Sequence, residues 1–428
     1  RIRIKTMTAI FKKIIFIILR LEAALVLRRH RPLIIGITGS VGKTSTKETI
    51  GTLLAQFYSV RKSPKSYNNE IGVPLTVLDL PNAWHSTSGW LANIFMGAVR
   101  IISRAPYPEI LVLEMGVDRP GDISALLSWI KPDIAVVMPI GSVPVHVEYF
   151  SGPDDIAREK GKLVASVPPA GHVVLNSDDE RVYNMRKLSE AAVITYGTGK
   201  NAVVRGFGYH LLLRSGIPYG FSFKLEYDWK TMPIKVEGFI GAHNMTALLA
   251  AASVGIVRGL NLIEIAEGLS HVKSPPGRLN VIEGKKKTLL IDDSYNASPL
   301  ATRAAIEVLA SVPAKRKITA LGDMLELGKY TVEEHKKLGT YAAEIADVVI
   351  AVGMRAKFME SSNAKYFKWF SNSDEAARFL ADFIEEGDVI LIKGSQGVRM
   401  EKIVHALMAS PEQAENLLVR QEKYWKKF

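Results

Sequence analysis

The sequence contains no cysteine. That excludes disulfides, thiolate metal sites and cysteine nucleophiles, and it fits a reducing compartment. Long apolar runs are also missing. The greasiest segment, near the N-terminus, has uncharged stretches no longer than six residues, as at 14–19, against the roughly 20 needed to cross a bilayer. No small-residue cleavage site of signal-peptide type follows it. Acidic residues are scarce in the same place: residues 1–31 hold nine Arg or Lys and one acid, Glu22, and so supply most of the net charge of +12. The body of the chain has no basic stripe, so nucleic acid is not an expected partner.

The 428 residues, 47% hydrophobic and 23% charged, are enough for two or three globular domains. The basic end reads as a helix, residues 1–32, with Phe11, Ile14 and Ile15 among its apolar positions. Lys13, Arg20 and Arg28 are spaced by seven and eight, so a helix places them on one face. A basic amphipathic helix of this kind is expected either to lie on an anionic membrane surface through residues 8–29 or to pack on protein.

After Arg31-Pro32, short apolar runs alternate with helical stretches. Strands are expected at Leu33-Ile34-Ile35-Gly36-Ile37, Ile110-Leu111-Val112-Leu113 and Ile134-Ala135-Val136-Val137. This alternation predicts an α/β fold with a mostly parallel sheet covered on both faces. Residues 201–240 alternate with period two, as antiparallel strands do, and an Ala-rich helix follows near 247–257. Ser274-Pro275-Pro276-Gly277 is the expected hinge. Strands at 289–291, 318–321, 348–352 and 389–392 then predict a second, Rossmann-like α/β domain. The expected division is 1–32, 33–273 and 274–428.

Gly36-Ile37-Thr38-Gly39-Ser40-Val41-Gly42-Lys43-Thr44-Ser45 follows a strand and opens a helix, the setting in which backbone N–H groups wrap phosphate oxygens. Lys43 is expected at the terminal phosphates and Thr44 at Mg²⁺. The strict motif has Gly where Ile37 stands.

Thr38 to Thr44 resembles the nucleotide loop of the Mur ligase family. Ser66-Tyr67-Asn68-Asn69-Glu70-Ile71-Gly72-Val73-Pro74 and Gly322-Asp323-Met324-Leu325-Glu326-Leu327-Gly328, with His335 following, resemble its MurF branch. Glu114-Met115-Gly116, His146-Val147-Glu148, Gly241-Ala242-His243-Asn244, Pro276-Gly277-Arg278, Asp292 to Pro299 and Lys393-Gly394-Ser395 continue the series in order. The resemblance covers about residues 33–410.

It implies an ADP-forming ligase that activates a carboxylate as an acyl phosphate and couples it to an amine, with ATP and two Mg²⁺ ions. In the MurF branch this adds D-alanyl-D-alanine to a UDP-linked peptide in cell-wall precursor synthesis, in the cytoplasm. By resemblance, Gly39, Ser40, Val41, Gly42, Lys43, Thr44, Ser45, His243, Asn244, Arg278, Asp293 and Tyr295 face the nucleotide. Thr44, Glu114, His146 and a carbamylated Lys160 serve the metal ions, and Lys43, Lys160, His146 and Glu114 carry the catalysis. Asn68, Asn69, Asn296, Ser298, Asp323 and Glu326 face the acceptor and the amine.

Ala247 stands where the family motif continues to a second Asn, and residues 396–399 depart from the common sequence after Lys-Gly-Ser. The family's uridine-binding N-terminal domain is expected to be absent, or supplied by a partner. Two other functions stay open on these grounds: the same chemistry on a folylpolyglutamate-type or cyanophycin-type acceptor, or a catalytically reduced nucleotide-binding scaffold at the inner face of the membrane.

Overall fold

The computed structural model describes residues 2–64, 67–84, 86–421 and 425. Ser66, and the side chains of residues 2–12 including Phe11, lie outside this description. Two compact units emerge from one chain: residues 1–139, 154–204 and 250–261 form the first, and residues 140–153, 205–249 and 262–428 the second.

The first unit begins with a helix, α1 (Ile2–His30), and the strand β1 (Leu33–Thr38). Helix α2 (Lys43–Leu54), β2 (Val60–Lys62), α3 (Gly72–Leu78), α4 (Thr87–Ile102) and β3 (Ile110–Glu114) follow. Then come α5 (Asp122–Leu127), β4 (Ile134–Val137), α6 (Pro153–Ala165), β5 (His172–Asn176), α7 (Glu180–Asn184) and β6 (Ala192–Gly197). The six strands lie in the order β2-β3-β1-β4-β5-β6 and pair parallel throughout. Every residue of β3 and β4 is buried, as strands covered on both faces require. Because the chain leaves β1 toward β3 on one side and β4 on the other, the C-terminal end of β1 is a topological switch point. Ligands of open α/β sheets bind there.

Helix α1 is not a free appendage. Ile15, Leu19, Ala23, Val26 and Leu27 are buried against α3 and α4. Lys13, Arg20 and Arg28 all face solvent.

The second unit contains an antiparallel meander, β7 (Val204–Arg214), β8 (Ile217–Tyr227) and β9 (Lys230–Glu237). Its two turns, Ser215-Gly216 and Asp228-Trp229, place both central residues at positive φ, matching the twist of a two-residue hairpin. Phe221, Phe223 and Leu225 point into the core while Ser222 and Lys224 alternate with them, as the period-two pattern predicts.

Helices α8 (Met245–Val257) and α9 (Leu262–Ser270) precede a second sheet built from β10 (Asn280–Gly284), β11 (Thr288–Asp293), β12 (Arg316–Gly322), β13 (Val348–Val352), β14 (Phe367–Phe370) and β15 (Asp388–Lys393). The order is β10-β11-β15-β12-β13-β14, parallel except for β10. One face, with Ile291, Leu321 and Leu391, packs on α10 (Pro299–Ser311) and α11 (Thr331–Ile345). The other, with Leu290, Ile350 and Ile392, packs on α12 (Ser373–Phe383) and α13 (Glu401–Leu407). Adjacent strand residues therefore serve opposite cores.

Candidate active site

The loop joining β1 to α2 owes its shape to two glycines. Gly39 has φ 138° and Gly42 has φ 82°, both in the region an L side chain avoids. A Cβ on Gly39 would also press 2.6 Å from the Cβ of Met138, so the loop lies flat on the end of β4. Ser40 and Val41 donate their backbone N–H groups to the Pro139 carbonyl at 3.0 and 3.2 Å. Helix α2 starts at Lys43, and its first turn buries Thr44 and Ser45.

Glu114 ends β3 directly beside Ile37 of β1. Thr44 donates its hydroxyl to Glu114 Oε2 at 3.1 Å, and Asn68 Nδ2 donates to Oε1 at 3.2 Å. Both carboxylate oxygens of a residue 2% exposed are thus held by neutral donors, an arrangement suited to a cation. Asn69 acts locally, its side-chain oxygen accepting from Gly72 N at 2.9 Å at the start of α3.

Lys160, on α6, is also 2% exposed. Its amine donates to the Gly39 carbonyl at 2.9 Å, and the amine of Lys43 donates to the same oxygen at 3.0 Å. Burial, and then the positive charge of Lys43, hold the Lys160 amine well below the usual lysine range. Among the described residues no three His, Asp or Glu side chains gather into a metal cage. Mg²⁺ at phosphates is commonly held by one or two protein oxygens plus phosphate and water. The Thr44 hydroxyl and Glu114 carboxylate are donors of that kind.

The remaining expected residues lie in the second unit. His146, at φ 67°, sets its Nδ1 2.8 Å from Glu326 Oε2. That hydrogen bond holds the Glu326 carboxyl below its usual range.

A separate group forms where β11 ends. Asp293 Oδ2 accepts from the Lys393 amine at 2.5 Å, and Lys393 also donates to the Asn296 carbonyl at 3.0 Å. Burial pushes His243 down to about 4, so its imidazole is neutral at physiological pH. The Arg278 guanidinium lies 4.1 Å from the centre of the Tyr295 ring. Asn244 donates to the Ile240 carbonyl at 2.8 Å, and Ser298 caps α10 by accepting from Ala301 N. Asp323 accepts from the backbone N–H of Arg355 and Ala356 at 2.8 and 2.7 Å, anchoring a turn. His335 bridges Thr331 O and Met324 N with its two ring nitrogens, so it fixes the 322–328 segment from behind.

Two participants have no role assigned from sequence. Lys393 carried a signal, since a lysine closing a fully buried strand requires a buried anion. Arg420 carried none: its guanidinium donates to the carbonyls of Ser294 and Tyr295, about 125 residues away in the chain, and to Glu401.

A glycine loop at a sheet switch point, two lysines on its carbonyl and an adjacent hydroxyl–carboxylate pair define a phosphate-loop nucleotide enzyme. Comparison with known proteins narrows the class. The Mur ligase middle domain model matches residues 37–88 and 96–255, and the Mur ligase glutamate ligase domain model matches 277–396. UDP-N-acetylmuramoyl-tripeptide–D-alanyl-D-alanine ligase of Bacillus subtilis is 30% identical over 385 residues, covering 88% of this chain and 76% of the relative. The Escherichia coli enzyme of the same name is 30% identical over 378 residues, covering 87% and 76%. Among solved structures, MurF from Acinetobacter baumannii superposes with TM-score 0.76 at 27% identity, covering 90% of this chain and 79% of that one. MurF ligase from Thermotoga maritima in complex with ADP gives 0.75 at 28%, covering 91% and 82%. The chain belongs to the Mur ligase family, in its MurF branch, and is an ATP-dependent peptide ligase.

Proposed function

We propose that the chain couples D-alanyl-D-alanine to the free carboxylate of a UDP-N-acetylmuramoyl-tripeptide, consuming ATP and releasing ADP and phosphate, in the cytoplasm. The observation that carries this reading is the convergence of Lys43 and Lys160 on the Gly39 carbonyl, beside the Thr44–Glu114 pair. A carboxylate has no leaving group an amine can displace. Transfer of the γ-phosphoryl group to the carboxylate oxygen, with ADP leaving, supplies one. The amine then attacks the carbonyl carbon, phosphate departs, and the amine gives up a proton.

Bringing two anions together demands concentrated positive charge. Lys43 supplies it by exchanging the Gly39 carbonyl for phosphate oxygens. Thr44 and Glu114 would hold Mg²⁺, which when bound neutralises phosphate charge. Lys160 is suited to carbamylation, because its depressed amine offers the neutral form that reacts with CO₂, and the carbamate would turn a cation into a metal-orienting anion. His146 is assigned to a second ion, and Glu326 to the incoming ammonium. His243, Asn244, Arg278, Asp293 and Tyr295 are assigned to the nucleotide, and Asn68, Asn69, Asn296, Ser298 and Asp323 to the acceptor and the dipeptide. Functionally the chain divides at residue 274, between the spans of the two family models. Peripheral contact with the membrane through residues 8–29, and a partner that binds the uridine nucleotide, complete the reading.

The test is ADP release with Mg²⁺-ATP, offering the UDP-tripeptide and the dipeptide separately and together. The expected result is release only with both, a product heavier by the dipeptide less water, and no turnover by Lys43→Ala. Wild-type chain that releases no more ADP than Lys43→Ala would sink the substrate assignment.

A further inference from the structure

Helices α1 and α4 lie side by side and parallel. Phe16 meets Trp90 edge to face with centroids 5.9 Å apart, Glu22 faces Gly97, and Arg29 donates to the Ile101 carbonyl. Later residues of one helix thus meet later residues of the other. Each helix spends only part of its apolar surface on the fold. On α1, Ile14, Ile17, Leu21 and Leu25 form a stripe at i, i+3, i+7 and i+11 that is about half exposed. On α4, whose packed side is Trp90, Asn93 and Gly97, Leu91, Phe95 and Ile102 stand out at helical spacing. Phe95 is 68% and Ile102 75% exposed. Side chains this large are not left in water on two adjacent helices without an occupant.

The family's middle-domain model leaves out α1 and the first half of α4: it starts at residue 37 and skips 89–95. The exposed charge is of one sign. The only acid on either helix is Glu22, which is buried, whereas Lys13, Arg20, Arg28, Arg29 and, just past α4, Arg104 are exposed. A second copy docked through this face would set cations against cations, while an anionic surface neutralises them. Among the described residues no helix is long and apolar enough to cross a membrane; an apolar stripe beside exposed cations suits the interfacial mode.

We propose that the α1–α4 pair is a docking face for an anionic lipid bilayer, with the α4 stripe entering the acyl boundary and the α1 cations meeting headgroups. The proposal rests on the membrane contact assigned above to residues 8–29 and adds α4 as the principal apolar anchor.

The experiment is co-sedimentation of the full chain with vesicles of phosphatidylcholine alone or mixed with phosphatidylglycerol. The wild type is expected to sediment with the anionic vesicles only, and to be released by high salt. The double variant Phe95→Glu/Ile102→Glu is expected to bind about tenfold more weakly or less, while keeping the thermal shift that Mg²⁺-ATP produces, which shows that it folds. If that variant binds like wild type while Leu21→Glu/Leu25→Glu is released, the role of α4 is overturned and the contact through residues 8–29 stands. No binding by wild type overturns both. A wild-type dimer in buffer that Phe95→Glu converts to monomer overturns the lipid assignment in favour of a self-interface.

Discussion

The two lysines to which the proposed chemistry is assigned look alike in sequence and differ in surroundings. Lys43 opens a helix at a glycine loop and is partly exposed, whereas Lys160 is buried on α6 with its amine aimed at the same carbonyl. Burial, and then the charge of Lys43, hold the Lys160 amine well below the usual lysine range, which favours its neutral form. Lys160→Ala is expected to lower kcat on the order of 10²-fold, the scale of losing one preorganised charge at a reacting phosphoryl group. Stripping dissolved CO₂ should lower wild-type turnover and added bicarbonate restore it, while Lys160→Ala ignores both; a ¹³C-bicarbonate carbamate resonance present in wild type and missing in the variant checks the assignment. The phosphate loop was legible in the sequence because its parts are contiguous. The local roles of Asn69, Ser298 and Asp323 were not, because each satisfies backbone N–H groups whose need appears only when the turn closes.

Among the elements, α1 shows best how packing divides a sequence pattern. Its apolar residues read as one greasy segment, yet the fold buries Ile15, Leu19 and Val26 and leaves Ile14, Ile17 and Leu21 outside. Glu22 sits on the buried side where α4 comes closest, at Gly97, a position that any Cβ would close. Burial raises the Glu22 carboxyl from 4.5 to about 7. A folded-state value above the unfolded one means the folded chain holds the extra proton. This stabilisation is complete below pH 4.5 and is lost as pH rises through about 7. The melting temperature of the first unit should therefore fall between pH 5 and 8, by roughly 2–4 °C for each kcal/mol lost. Glu22→Gln, which keeps the shape and cannot ionise, should flatten that dependence in pH-resolved calorimetry. An unchanged slope would mean Glu22 reaches water.

At the scale of the whole molecule, the family models match segments that begin at residue 37 and end at 396, which suggests that α1 could be removed. The packing argues otherwise. All seven residues of α3 are buried, and α1 is one of the elements that covers it. A chain beginning at residue 32 should melt lower by on the order of several °C and associate on gel filtration, as exposed apolar surface does. Unchanged melting and elution would show α1 to be an appendage.

Sequence alone determined the α/β class, the strand positions at 33–37, 110–113 and 134–137, the nucleotide loop and the order of the ligase motifs. These depend on the local period of apolar residues and on contiguous chemistry. Tertiary structure decided which carboxylate meets Thr44 across 70 residues and which amine meets Gly39 across 121. It also decided that Lys393 neutralises Asp293 and that α4 joins α1 as a second exposed apolar stripe. Burial and charge pairing between distant segments come from how the layers pack, and no local pattern encodes them.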